Sequence, residues 1–199
     1  MSPAKSTFPA LTLALLLAAC GGGSKVPEGA SFDPATLNAC ELFTVRDALQ
    51  FNGGKPVAPR SSTFDDASVS TNPLTCSFNT AVATPDQPQV LGLEIKAARS
   101  PEAAARNLES SRSMLKRLAG GEIQEVPGLG EKAMFLGGSL HQLHVLKGNL
   151  VLVVTAQTDN QPKSLYVAKL IAQRVLQRLE GAPGAQGAPV RAQPAQPPS

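Results

Sequence analysis

Gly148-Asn149-Leu150-Val151-Leu152-Val153-Val154 decides the fold, read with Leu140 to Lys147 before it and Thr155 to Gln157 after it. Five consecutive apolar residues leave no polar face, so the segment from Leu150 reads as a central strand covered on both sides. Gly148 and Asn149 supply the positive φ values of a tight turn, and join that strand to a preceding one over Leu140 to Lys147. Upstream, Gly137-Gly138 separates this hairpin from a further strand over Ala133 to Leu136.

The same reading extends outward. Leu91, Leu93 and Ile95 alternate with Gly92, Glu94 and Lys96, which predicts a strand over Val90 to Ala97, and Leu74 to Asn79 reads as its neighbour. Thr44-Val45-Arg46-Asp47 has the form of a capping box and introduces a short helix that Asn52-Gly53-Gly54 ends. A second helix begins at the cap Ser100, with Pro101 in its first turn and Glu102 at the positive end of its dipole, and continues to about Leu118. Its inner stripe is Ala104, Ala105, Leu108, Leu115 and Leu118, while Glu102 with Arg106 and Glu109 with Arg112 read as a solvated face. A third helix over Ser164 to Leu179 puts Ala168, Ile171, Ala172, Val175 and Leu179 on one stripe suited to covering a sheet. The expected fold is therefore α+β: a mainly antiparallel sheet of about five strands packed by three helices.

The start of the chain carries a different signal. Lys5 is the one charged side chain ahead of an apolar run from Phe8 to Ala19, about a dozen residues long. A helix crossing the ~30 Å hydrocarbon core needs roughly 20 residues, so the run reads as a cleaved export signal. The junction Leu17-Ala18-Ala19-Cys20-Gly21 resembles the bacterial lipobox, which implies that Cys20 receives a diacylglyceryl group; an ordinary cleaved signal with a chance cysteine is the alternative. Two or more acyl chains hold a protein stably to a bilayer. The organisation expected is a signal peptide over 1–19, a flexible tether over 20–33, a folded domain over 34–180, and a Gly/Ala/Pro/Gln-rich tail over 181–199 that should be disordered.

Without Cys20, Cys40 and Cys76 are the remaining pair of the three cysteines. In an exported chain a disulfide is the default, with two buried thiols as the alternative. It would join the entry to the first helix, just after Cys40, to the strand that holds Cys76.

The lipobox, Cys40-Glu41-Leu42-Phe43-Thr44, Cys76-Ser77-Phe78 and Val126-Pro127-Gly128-Leu129-Gly130-Glu131-Lys132-Ala133 together resemble a family of uncharacterised lipoproteins best known from actinobacteria. The similarity covers roughly Ala39 to Leu179. Members often carry a Trp after the second cysteine, where Phe78 stands here. The resemblance implies an extracytoplasmic lipoprotein without known catalysis.

Chemistry is sparse. His141 and His144 are the two histidines, and on a strand a spacing of three places them on opposite faces, so they do not form a shared metal site. Gly138-Ser139-Leu140 lacks the elbow that presents a serine nucleophile. Gly128-Leu129-Gly130 precedes a strand and reads as a turn, not a phosphate loop. A net charge of +3 without a clustered basic face excludes a nucleic-acid partner. No catalytic, metal or cofactor site is expected. The reading is a membrane-anchored lipoprotein of the cell envelope that binds or assembles with an envelope protein or a small ligand, the membrane being engaged through lipid on Cys20; an envelope hydrolase using Ser139 or His141 is the alternative. Gly21 carries no inner-membrane retention signal, which implies the outer membrane in a two-membrane organism and otherwise the outer face of the plasma membrane.

Overall fold

A computed structural model describes residues 30–59, 73–80, 88–119 and 123–181. The signal peptide, Cys20, most of the tether and nearly all of the C-terminal tail lie outside the described residues.

The described residues form seven strands in one sheet and four α-helices, after a 3-10 turn over Pro34–Thr36. Helices α1 (Ala39–Leu42) and α2 (Val45–Phe51) come first, followed by strands β1 (Val57–Pro59), β2 (Thr75–Thr80) and β3 (Val90–Ala97). Helix α3 (Pro101–Ala119) then leads to β4 (Ile123–Glu125), β5 (Lys132–Leu136), β6 (Gln142–Lys147) and β7 (Leu150–Gln157), and α4 (Gln161–Glu180) closes the domain. The strand order is β1-β2-β3-β7-β6-β5-β4, with every neighbouring pair antiparallel. The α+β class is therefore as expected, but the count of about five strands and three helices is corrected to seven and four.

The additions have a common physical cause. Strands β1 and β4 are three residues long at the two sheet edges, too short for a period of two to register, and Pro59 and the exposed Gln124 and Glu125 carry no apolar alternation. Helix α1 is a single turn, started by the Asn38 side chain accepting from the Cys40 N–H at 2.9 Å, so Cys40 lies inside a helix and not before one. Such a turn is held by its cap and its surroundings, since four residues cannot sustain a helix alone.

Strand β7 occupies the middle position of the sheet and is covered on both faces. Leu150, Leu152, Val154 and Ala156 join a core with Leu91, Leu93 and Ile95 of β3, Leu143 and Val145 of β6, and the α4 stripe Ala168, Ile171, Ala172, Val175 and Leu179. Val151 and Val153 point the other way, with Met134 and Leu136 of β5 and Leu146 of β6, onto Ala104 and Leu108 of α3. The architecture is helix, sheet, helix.

Helix α3 starts as its sequence implies, since the Ala103 N–H donates to Ser100 Oγ at 3.2 Å. Its charged side does more than face water: Glu109 pairs with Lys132 of β5, and Arg112 with Glu125 of β4 at 2.6 Å. These exposed pairs contribute little stability each, but they fix which edge of the sheet the helix crosses.

The packed body also begins earlier than Pro34. Ala30 and Phe32 are buried in the larger core, and the Asn149 side chain grips the backbone there, accepting from the Phe32 N–H at 2.7 Å and donating to the Phe32 carbonyl at 2.9 Å. Gly148 makes the approach feasible. It sits at φ +57, and a Cβ there would overlap the Ala30 carbonyl. A polar, Gly/Pro-bearing stretch hides its one aromatic, and Phe32 was the only signal of this strap.

Candidate ligand-binding cleft

The strap from Ser31 to Pro34 lies beside the end of β3 and the first turns of α3, and the three elements border an open cleft of about 680 Å³. Phe32, Pro34, Ala97, Ala98 and Ala103 give it apolar walls, and Arg99 and Asn107 stand at its exposed rim. Asn149 lines it too, but its amide is already occupied by Phe32 and by the Ala98 carbonyl at 3.1 Å. It is a structural clasp.

A smaller cavity of about 80 Å³ adjoins this cleft, since Ala97, Ala98 and Asn107 line both. It runs under α3 between Leu108, Ser111 and Val151 and has His144 in its wall and Lys96 at its edge. His144 is 4 % exposed. Burial holds its imidazole down to about 4, with the nearby Lys96 charge acting in the same direction, so the ring is neutral at physiological pH. Its Nε2 lies 3.4 Å from Gln142 Oε1, a long contact. Neither Ala97, Ala98 nor Asn107 is marked by any sequence motif, so the cleft is a product of tertiary packing alone.

The two histidines do part company across the sheet, although one is not on a strand. His141 precedes β6 in a left-handed conformation, φ 47, and bonds through Nδ1 to Ser164 Oγ of α4 at 3.0 Å. His144 faces α3 instead. Among the described residues no group of three or more His, Cys, Asp or Glu side chains could hold a metal ion.

The Ser164–His141 pair has the residue types of a nucleophile and its base, and its surroundings decide against that role. The Thr158 hydroxyl donates to the Asn160 carbonyl at 2.7 Å, so across the 2.8 Å contact Ser164 must donate to Thr158. Ser164 Oγ then accepts from the Thr158 N–H at 3.1 Å and from His141 Nδ1–H. Donor and both lone pairs are used. With Ser164 fully buried, no substrate carbonyl can reach it. Ser139, the serine considered from sequence, sits exposed in the turn before His141.

Cys40 and Cys76 form a disulfide, with Cα atoms 5.1 Å apart, that ties α1 to β2 as their positions implied. A second tie joins the same region to α4. Asp47 completes the capping box, its carboxylate accepting from the Thr44 N–H at 2.9 Å and the Thr44 hydroxyl at 2.7 Å, and also binds Arg178 in fork fashion and Arg174 at 3.1 Å, both from α4. Arg178 further donates to the Leu42 carbonyl at 2.8 Å. Burial alone would raise the Asp47 carboxyl, but the Arg178 and Thr44 hydrogen bonds and the Arg178 charge outweigh it and hold the group at about 2. The i,i+4 spacing of Arg174 and Arg178 was the available signal.

No family model, no curated protein and no solved structure matches the chain. Among the described residues no helix is long and apolar enough to cross a membrane.

Proposed function

We propose that the protein is a lipid-anchored envelope module that binds a small ligand in the cleft between its N-terminal strap and α3, and that it performs no catalysis of its own. The observation that carries this reading is the cleft itself: a preformed concave site with apolar walls and a few polar groups, the usual form of a ligand site. The anchor supports it. Ten residues separate Cys20 from Ala30, a span of ~35 Å at full extension, and the strap that begins at Ala30 walls the cleft. A bilayer-held Cys20 therefore keeps the cleft within reach of the membrane surface, where envelope ligands and partners are found. The actinobacterial lipoprotein resemblance agrees with that location.

Two measurements test the reading. Intact mass of the membrane-extracted protein should show cleavage before Cys20 and a diacylglyceryl adduct; a freely dissolved, unacylated chain refutes the anchor. Native mass spectrometry of the same material should show a bound small molecule that Ala103→Trp, which fills the cleft, removes. An identical ligand complement in both forms refutes the cleft.

A further inference from the structure

The cleft and the cavity beneath α3 adjoin along Ala97, Ala98 and Asn107, and the two parts differ in chemistry. The larger part, walled by Phe32, Pro34 and Ala103, is apolar and open. The smaller part has the buried His144 in its wall, among Ala104, Leu108 and Val151, with Ser111, Asn107 and Lys96 as its other polar lining. The ring's hydrogen-bond contact is the 3.4 Å approach of Nε2 to Gln142 Oε1, which leaves its second nitrogen to face a ligand. A ligand head entering this cavity would meet that nitrogen.

Charge sets the sign of that head. Arg99 and Lys96 are the charged residues lining the two parts, and no Asp or Glu lines either. The titratable groups around His144 are few: β3 offers Lys96, whose ammonium lies 3.6 Å from Glu94 on the open side, while β5 opposes it with Met134, β7 with Val151 and Val153, and α3 with Ala104, Asn107, Leu108 and Ser111. A cationic head would lie beside the Lys96 ammonium with no carboxylate in the cavity lining to offset it, Glu94 being engaged by Lys96 itself. An anion answers Lys96 and supplies the partner that the imidazole lacks.

We infer that this space binds an acidic amphiphile, a carboxylate-headed molecule whose head sits between His144 and Lys96 and whose apolar tail lies along Phe32, Pro34 and Ala103. The inference rests on the cleft being a ligand site and adds the class of ligand. A volume of about 80 Å³ suits a carboxylate with its first methylenes, and the larger cleft takes the rest. Binding carries a proton: with Nε2–H directed at Gln142, His144 Nδ1 is the free base, and a carboxylate beside it stabilises the imidazolium. The balanced event is one anion and one proton taken up together, with no bond made or broken in the ligand.

The test is an NMR titration of the full mature chain with sodium octanoate and, separately, with octanol, which has the same tail and no charge. Octanoate should shift the amides of Ala97, Ala98 and Ala103 and move the His144 ring titration to higher pH. Its affinity should fall as pH rises above the range in which octanoate itself ionises, by no more than the tenfold per pH unit of one coupled proton. Lys96→Gln, an exposed change compatible with folding, should weaken octanoate about tenfold and leave octanol unchanged. Equal binding of octanol and octanoate, with the His144 titration unmoved, overturns the acidic-ligand inference while the cleft stands. No binding of either probe, with Ala103→Trp indistinguishable from the parent, overturns both.

Discussion

The side-chain amide of Asn149 clasps Phe32 at both of its backbone groups, Oδ1 receiving the N–H at 2.7 Å and Nδ2 reaching the carbonyl at 2.9 Å, across 117 residues of sequence. An amide that pairs with a backbone in this two-point manner replaces a stretch of β ladder. It also closes one wall of the cleft.

Asn149→Ala should therefore destabilise the domain by about 2 kcal/mol, because it strands the buried Phe32 N–H and carbonyl at once. Urea unfolding checks the magnitude. Amide exchange at Phe32 should accelerate more than exchange in β7, which separates a loosened strap from a weakened sheet.

His144 makes the fold acid-sensitive in a defined window. Its folded value is depressed to about 4 from an ordinary 6.5, so the contribution is complete above pH 6.5 and is lost as pH falls toward 4, by up to about 3 kcal/mol. Urea midpoints measured at pH 7 and 4.5 should diverge in the parent, and His144→Leu should narrow the gap. An unchanged gap in the variant would contradict the assignment.

Asp47 acts in a lower window. Its carboxyl is held at about 2 against an ordinary 3.8, so its stabilisation is present above 3.8 and is lost between there and pH 2, amounting to at most about 2 kcal/mol. Asp47→Asn should cost about 2 kcal/mol at pH 7. Arg174 and Arg178 are 38 % and 31 % exposed, so water can solvate them once the carboxylate is gone, which keeps the loss below that of a fully buried pair. The acid limb below pH 3.8 should flatten in the same variant.

Reducing the Cys40–Cys76 bond should cost ~4 kcal/mol in the chain-entropy account, given a separation of 36 residues. Cys40→Ser with Cys76→Ser should lower thermal stability without unfolding α4, because Asp47 still ties α2 to it. Far-UV circular dichroism with a denaturation series checks both parts.

Much of the frame was legible because it rests on periodicity. The limits of β3 and β7 and the α4 stripe follow from apolar spacing, and the Thr44–Asp47 box from residue type. Missing from any local reading were the edge strands β1 and β4, one-turn α1, and the strap, whose structure is imposed by distant partners such as Asn149. The cleft belongs to that group. Alanines at 97, 98 and 103 look like ordinary strand-end and helix residues, and only the placement of α3 over β7 turns them into walls. His144 was visible as a residue, but its burial depends on Leu108 and Val151 arriving from elsewhere.

The strand order has a kinetic corollary. β3 pairs along its whole length with β7, from Val90 opposite Gln157 to Ala97 opposite Leu150, so the seam joining the two halves of the sheet waits for the last strand among the described residues. In a polypeptide that emerges amino end first, whether from a ribosome or through a secretion pore, the β2–β3 hairpin stands with one flank unpaired until residue 157 is free. Such late, long-range closure slows folding and leaves an adhesive edge on display meanwhile, so the nascent chain stays open enough to be threaded and needs shielding while it is.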